Sequence, residues 1–168
     1  QKLSSIPLEN GTWQGYFGPA PQHGAPGEGP SQGGPPNHWL RRATSSNLFD
    51  WTVEPGVIIG PGAPHLTASA REVFPLLRDD GCVTLFYQLN KPQDAGIRDF
   101  TGVAVIGYST SENGTTFKKQ HVLVNVRDPA GPDILRLLDE TYLMYHDSTE
   151  RNGYGHGIRV GRLVVADY

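Results

Sequence analysis

Two stretches of this chain repeat each other at a constant spacing. ATSSNLFDWTVEPGVII (43–59) and STSENGTTFKKQHVLV (109–124, with Tyr108 in front) run in parallel at an offset of 66 residues. Thr44-Ser45 falls on Thr110-Ser111, Asn47 on Asn113, Trp51 on Phe117, and Val57-Ile58 on Leu123-Val124, with no gap. A second element precedes each copy and occurs a third time: GTWQGYFG (11–18), GCVTLFYQL (81–89) and ETYLMYHD (140–147). Each follows an acidic or Asn/Gly turn, at Glu9-Asn10-Gly11, Asp79-Asp80-Gly81 and Asp139-Glu140, and each runs through aromatic and β-branched positions that favour strands.

The order within a unit is therefore a strand into an acidic turn, an aromatic strand, a variable insertion, a strand ending in Thr-Ser, and an aromatic anchor leading to a last strand. About four short strands per repeat of this length describe a β-propeller blade rather than a helical solenoid. A four-stranded blade cannot cover both of its own faces, so neighbouring blades must, and the repeat follows. The expectation is one all-β, propeller-like domain with units near 1–65, 66–126 and 127–168.

Helix competes in one place. In PDILRLLDETYLMYH, Ile134, Leu137, Leu138 and Leu143 could line one helical face. The same residues read as two strands joined at Asp139-Glu140, and the repeat favours the hairpin. The 21 Gly and 14 Pro sit as punctuation between short apolar runs, as turns require. Residues 18–39 are Pro/Gly-rich without apolar periodicity and read as a long loop, either a binding-face loop or a plain surface excursion.

Composition excludes several partners. With 14 Lys plus Arg against 17 Asp plus Glu, the net charge is −3 and the pI about 6.0, so there is no basic field for a nucleic-acid backbone. No apolar run is long enough to span a membrane, and QKLSSIPLENG has no signal-type apolar segment, so the expectation is a soluble chain whose signal peptide, if it had one, is gone. Cys82, the single cysteine, lies in an apolar run and reads as a structural thiol. The six histidines show no ligand spacing, and no phosphate-cradling loop or nucleophile elbow occurs, so neither metal nor cofactor is expected. Asn10-Gly-Thr and Asn113-Gly-Thr are sequons that would carry glycans in a secreted or extracellular protein; both are also good plain turns.

Taken together, HWLRRATSSNLFDWT, GYSTSENGTTFKKQHVLV and VRDPAGPDILRLLDETYLMYHD resemble the five-bladed β-propeller glycosidases of glycoside hydrolase families 32, 43 and 68. The first two are similar to the A-x-S-x-[DN] signatures of the first and second blades, and the third to the Arg-Asp-Pro that opens the third blade in the fructan-acting branch. The resemblance covers three blades of five and implies a fold incomplete as a single chain. It also implies an oligosaccharide or polysaccharide ligand, with glycosidic bond hydrolysis if the ring is completed by further chain or by self-association. Asp128 then matches an auxiliary carboxylate that stabilises an oxocarbenium-like transition state, and Arg127 a group that binds sugar hydroxyls or keeps that carboxylate ionised.

The chain departs from those families at the two main carboxylates. QKLSSIPLENGTW holds only Glu9 where the nucleophile or base would stand, and the general acid would open a fourth blade, beyond Tyr168. The alternative expectation is a structural or self-assembling module on that scaffold. Remaining substrate-binding candidates are Trp39, as a stacking platform at the end of the long loop, Arg98 and Asp99 in the second insertion, and His146 at the end of the third aromatic strand. Trp51, whose counterpart is Phe117, reads as a core anchor.

Overall fold

The computed structural model describes residues 3–18, 39–60, 63–65, 70–90, 104–124, 129–138, 140–147 and 157–164. These residues form eleven strands in three antiparallel sheets, and no helix occurs among them. The first sheet is β1 (Leu3–Pro7), β2 (Trp13–Phe17), β3 (Arg41–Ser45) and β4 (Thr52–Val53). The second is β5 (Ala70–Leu77), β6 (Val83–Asn90), β7 (Ala104–Ser111) and β8 (His121–Val124). The third is β9 (Ala130–Leu137), β10 (Glu140–Asp147) and β11 (Gly157–Leu163). Each sheet's first strand packs against the first strand of the next, β1 on β5 and β5 on β9, which is the arc of a partial propeller.

Local chemistry accounts for the turns. Between β1 and β2, Leu8 and Thr12 pair while Gly11 takes φ 77°; between β5 and β6, Arg78 and Cys82 pair while Gly81 takes φ 81°. A type I turn closed by a left-handed residue needs that glycine. Asn10 Oδ1 and Asp80 Oδ1 accept the amide N–H of Thr12 and Cys82, locking each turn from the side. The Ser-x-Asn repeat is likewise a turn device. Asn47 Oδ1 accepts the N–H of Phe49 and Asp50, and Asn113 Oδ1 those of Thr115 and Thr116.

The sequence offset survives in three dimensions. Leu40 bonds to Ile58 and Ile59, as Ile106 pairs with Val124 in the second sheet. In the first sheet this last strand is interrupted after Val53: Pro55 has no N–H for the ladder and Gly56 turns at φ 87°. The segment expected to be helix or hairpin is the hairpin, with β9 and β10 in register from Glu140↔Leu137 to His146↔Ala130. The third sheet shows three strands among the described residues, where four per unit were expected.

The core lies between the first and second sheets. Tyr16, Leu40, Ile59, Leu85, Tyr87 and Val105 are fully buried there, and β6 is buried on both faces because sheets cover it from both sides. Two buried donors, Gln14 Nε2 and the Tyr16 hydroxyl, meet the same acceptor, the Gly114 carbonyl, at 2.8 and 2.7 Å, and so tie the first sheet to a turn of the second. Burial pushes the Tyr16 phenol well above its ordinary pKa, which keeps it protonated as donor. Phe117 meets Tyr16 edge-on at 6.1 Å and is 2% exposed. Trp51, its repeat partner, is only half-buried: it lies over Gly15 on the outer face of the first sheet, where none of the other described sheets covers it. Cys82 is half-buried, and its thiol is raised by burial and by the neighbouring Asp80 carboxylate.

His121 gives the fold a pH dependence. Its ring stacks on Tyr108 at 4.8 Å, and burial, then the Lys119 charge, hold its pKa below 6.5. The unfolded chain therefore binds this proton more readily, so the contribution is whole above about pH 6.5 and declines as pH falls through that value toward the lower folded pKa. His121→Phe is expected to shrink the loss of urea stability between about pH 7.5 and pH 5.5; an unchanged loss would place the cause elsewhere.

Candidate functional site

Antiparallel pairing sorts the connections into two ends. At one end are the tight turns: 8–12, 45–51, 78–82, 111–117 and the β9–β10 turn at Leu138. At the other, β1, β3, β5, β7, β9 and β11 begin and β2, β6, β8 and β10 end, so the longer connections all attach there. Trp39 and His146 lie at this loop end. Asp128, Arg127, Arg98 and Asp99 lie outside the described residues, as does most of the long 18–39 segment; the strand ends that flank all of them are at the same end.

Trp39 is half-buried at the start of the first sheet's third strand. Its ring meets Phe17 edge-on at 6.4 Å, and the Arg41 guanidinium carbon stands 5.6 Å over it. Arg41 is itself held by donating from Nε to the Gly56 carbonyl at 3.1 Å, so the aromatic face has a fixed cationic neighbour. His146 is exposed near the end of β10, in the third sheet, and packs separately from Trp39.

The third sheet's entry is tied to the second by buried and strained groups that sequence reading missed. Gln88, buried on β6, donates from Nε2 to the Pro129 carbonyl at 2.9 Å, anchoring the residue after Asp128. The innermost strands β5 and β9 share a bulge near their starts, where four residues, 71–74 and 130–133, face three on the partner strand. The bulged residue is left-handed in both: Gly131 with φ 58° and Glu72 with φ 51°. A side chain at such an angle costs about 1–2 kcal/mol relative to an ordinary backbone. Glu72 Oε2 accepts the Gly131 N–H at 2.6 Å, so one bulge clasps the other. A Cβ on Gly131 would stand 3.1 Å from His146 Cδ2 and 3.9 Å from Glu72 Oε2, so imidazole and carboxylate border one bare stretch of backbone. The only sequence signal was a glutamate near a strand start. It stands 59 residues before Gly131, outside the 66-residue spacing of the repeat, so the repeat does not pair the two.

The turn end is polar but charge-compensated. A cleft of about 570 Å³ between the second and third sheets is lined by Arg78, Asp79, Arg136, Glu140 and Arg162 among others. Arg78 pairs with Asp80 at 2.9 Å, Arg136 with Asp79 at 2.8 Å and Arg162 with Glu140 at 2.8 Å. The Tyr142 hydroxyl, then Arg162, hold the Glu140 carboxyl below its usual range. Each of those arginines already has its carboxylate, which leaves little for an ionic ligand. Asn10 and Asn113 are exposed in turns at this same end, each with Oδ1 accepting from its own sequon threonine hydroxyl, at 2.6 and 2.8 Å. Among the described residues no three His, Cys, Asp or Glu side chains converge as metal ligands, and no helix is long and apolar enough to cross a membrane.

The sequence matches no protein-family model and no curated protein. Solved structures share its fold. A thermostable family-43 glycoside hydrolase matches 98% of this chain and 55% of its own length, with a TM-score of 0.64 and 16% identity. The endo-arabinase of Bacteroides thetaiotaomicron VPI-5482 matches 98% of this chain and 56% of its own, at TM-score 0.63 and 12% identity. An α-L-arabinofuranosidase from Clostridium thermocellum ATCC 27405 matches 96% and 50%, at TM-score 0.57 and 15% identity. The chain thus has the fold of part of a five-bladed glycosidase propeller, and spans about half the length of these structures.

Proposed function

We propose that this chain forms the saccharide-binding arc of a glycoside-hydrolase-type propeller, with its ligand at the loop end. The observation that supports this most is the segregation of Trp39, His146 and the connections holding Arg98, Asp99, Arg127 and Asp128 to one end of a propeller arc, while the other end carries short, self-satisfied turns. In this reading Trp39 stacks on a sugar ring. Asp128 faces positive charge developing at the anomeric carbon, and Arg127 binds hydroxyls or keeps Asp128 ionised. Hydrolysis needs two carboxylates flanking the bond, and Asp128, as an auxiliary carboxylate, is neither of them, so saccharide binding is the function proposed. The endo-arabinase and the α-L-arabinofuranosidase of like fold suggest pentose-containing oligosaccharides as ligands. Export belongs to the same reading, since glycans on Asn10 and Asn113 would lie at the turn end and leave the loop end open.

Calorimetric titration with arabinotriose, xylotriose and 1-kestotriose tests it. At least one is expected to bind, with binding lost in Trp39→Ala and retained in Asp128→Asn. No binding by any of the three sinks the proposal. A second reading, association with another copy or with further chain, draws on the uncovered apolar residues of the outer sheets: Phe49 is 88% exposed, Ile158 67% and Val160 60%. Sedimentation velocity separates the two, because a folded monomer in solution contradicts self-completion.

A further inference from the structure

From the strained bulge we infer that Glu72 is a ligand-binding carboxylate at the loop end, which accepts hydrogen bonds from saccharide hydroxyls beside the Gly131 backbone. The inference rests on the saccharide-binding reading above. The same bulge recurs in two successive innermost strands, and its left-handed residue is Gly131 in one and Glu72 in the other. Gly131 shows which residue the backbone itself prefers there, so the second sheet carries a glutamate against local conformational preference.

The carboxylate is exposed and anchored. Oε2 is fixed by the Gly131 N–H, while Oε1 has no partner among the described residues. One oxygen positions the group and the other is left to accept, the disposition of a carboxylate that binds a hydroxyl. The opposite wall of the spot is the exposed His146 ring, and its floor is the Gly131 Cα, where any side chain would intrude on the imidazole. A flat floor without Cβ between an acceptor and an imidazole suits a sugar ring edge. The clasped residue, Gly131, lies three positions after Asp128 in the chain, so Glu72 serves the strand entry that Asp128 opens.

Glu72→Gln tests the inference, because the amide oxygen can still accept from Gly131 while the charge is gone. Whichever trisaccharide binds the unaltered chain is titrated into this variant, and the Gly131 amide resonance and thermal midpoint report on the clasp. Affinity is expected to fall about tenfold or more, the loss of a charge-assisted hydrogen bond, with midpoint and amide resonance unmoved. Glu72→Gly, which the Gly131 bulge shows the backbone accepts, is expected to lose binding equally while keeping or raising the midpoint. Unchanged affinity in either variant overturns the role of Glu72 and leaves saccharide binding standing. In Glu72→Gln, a loss that tracks a displaced amide resonance or a lowered midpoint makes Glu72 a clasp alone. If the unaltered chain binds none of the three sugars, the parent reading fails first and this one with it.

Discussion

Phe117→Ala is expected to destabilise the chain by about 3–5 kcal/mol, whereas Trp51→Ala, at the matching place in the repeat, costs only about 2 kcal/mol. The two anchors follow the same Ser-x-Asn turn, but their neighbours differ. Phe117 is sealed by the first sheet through Tyr16, so its removal leaves a cavity. Trp51 lies on the outer face over Gly15, and water can replace part of the lost contact. Urea unfolding followed by far-UV circular dichroism measures both without relying on the tryptophan signal. If Trp51→Ala proves as costly as Phe117→Ala, the outer face of the first sheet is covered in solution, and the association reading gains over the monomeric one.

Gly114→Ala carries the second large expected effect. Gly114 has φ +66°, and a Cβ there would stand 2.7 Å from Gln14 Oε1 and 2.9 Å from the Tyr16 hydroxyl, in the two side chains that donate, from Gln14 Nε2 and the Tyr16 hydroxyl, to its own carbonyl. A left-handed alanine costs about 1–2 kcal/mol, and intrusion into a close-packed site adds roughly 1–3 kcal/mol. Gly81 supplies the control. It has φ +81° with nothing within 4 Å of its Cβ position, so Gly81→Ala isolates the backbone penalty. The difference between the two variants measures the clamp between the first and second sheets. Equal losses would mean that Gln14 and Tyr16 shift aside at no cost and that the clamp contributes nothing.

The strands and turns were legible because their causes are local. Asn10, Asp80, Asn47 and Asn113 each bond to amides two or three residues ahead, so the turn is written within a few positions of the residue that makes it. The hairpin at 137–140 was legible for a related reason: the repeat supplied a β context that helical spacing alone would have overruled. The anchor equivalence of Trp51 and Phe117 was read correctly as a repeat but not as equal burial, since burial depends on a neighbouring sheet that only one of them has. Within the candidate site, Trp39 and His146 stand out in the sequence by residue type and by position in the repeat. Glu72 was not, because its importance lies in a φ angle and in a contact with residue 131, neither of which has a signature in a single sequence.

Local chemistry alone carries the three-unit, all-β repeat with its hairpins, its turn glycines and its excess of connections in particular gaps, because side chains that bond their own backbone and alternate across a strand act over a few residues. It takes the packing of sheets to bring the strand ends that flank those connections to one end, to seal the middle sheet while the outer two keep an open face among the described residues, and to bring Glu72 across to Gly131. These depend on how sheets stack, and stacking brings together residues as distant as Gln14 and Gly114, whose meeting no local spacing encodes.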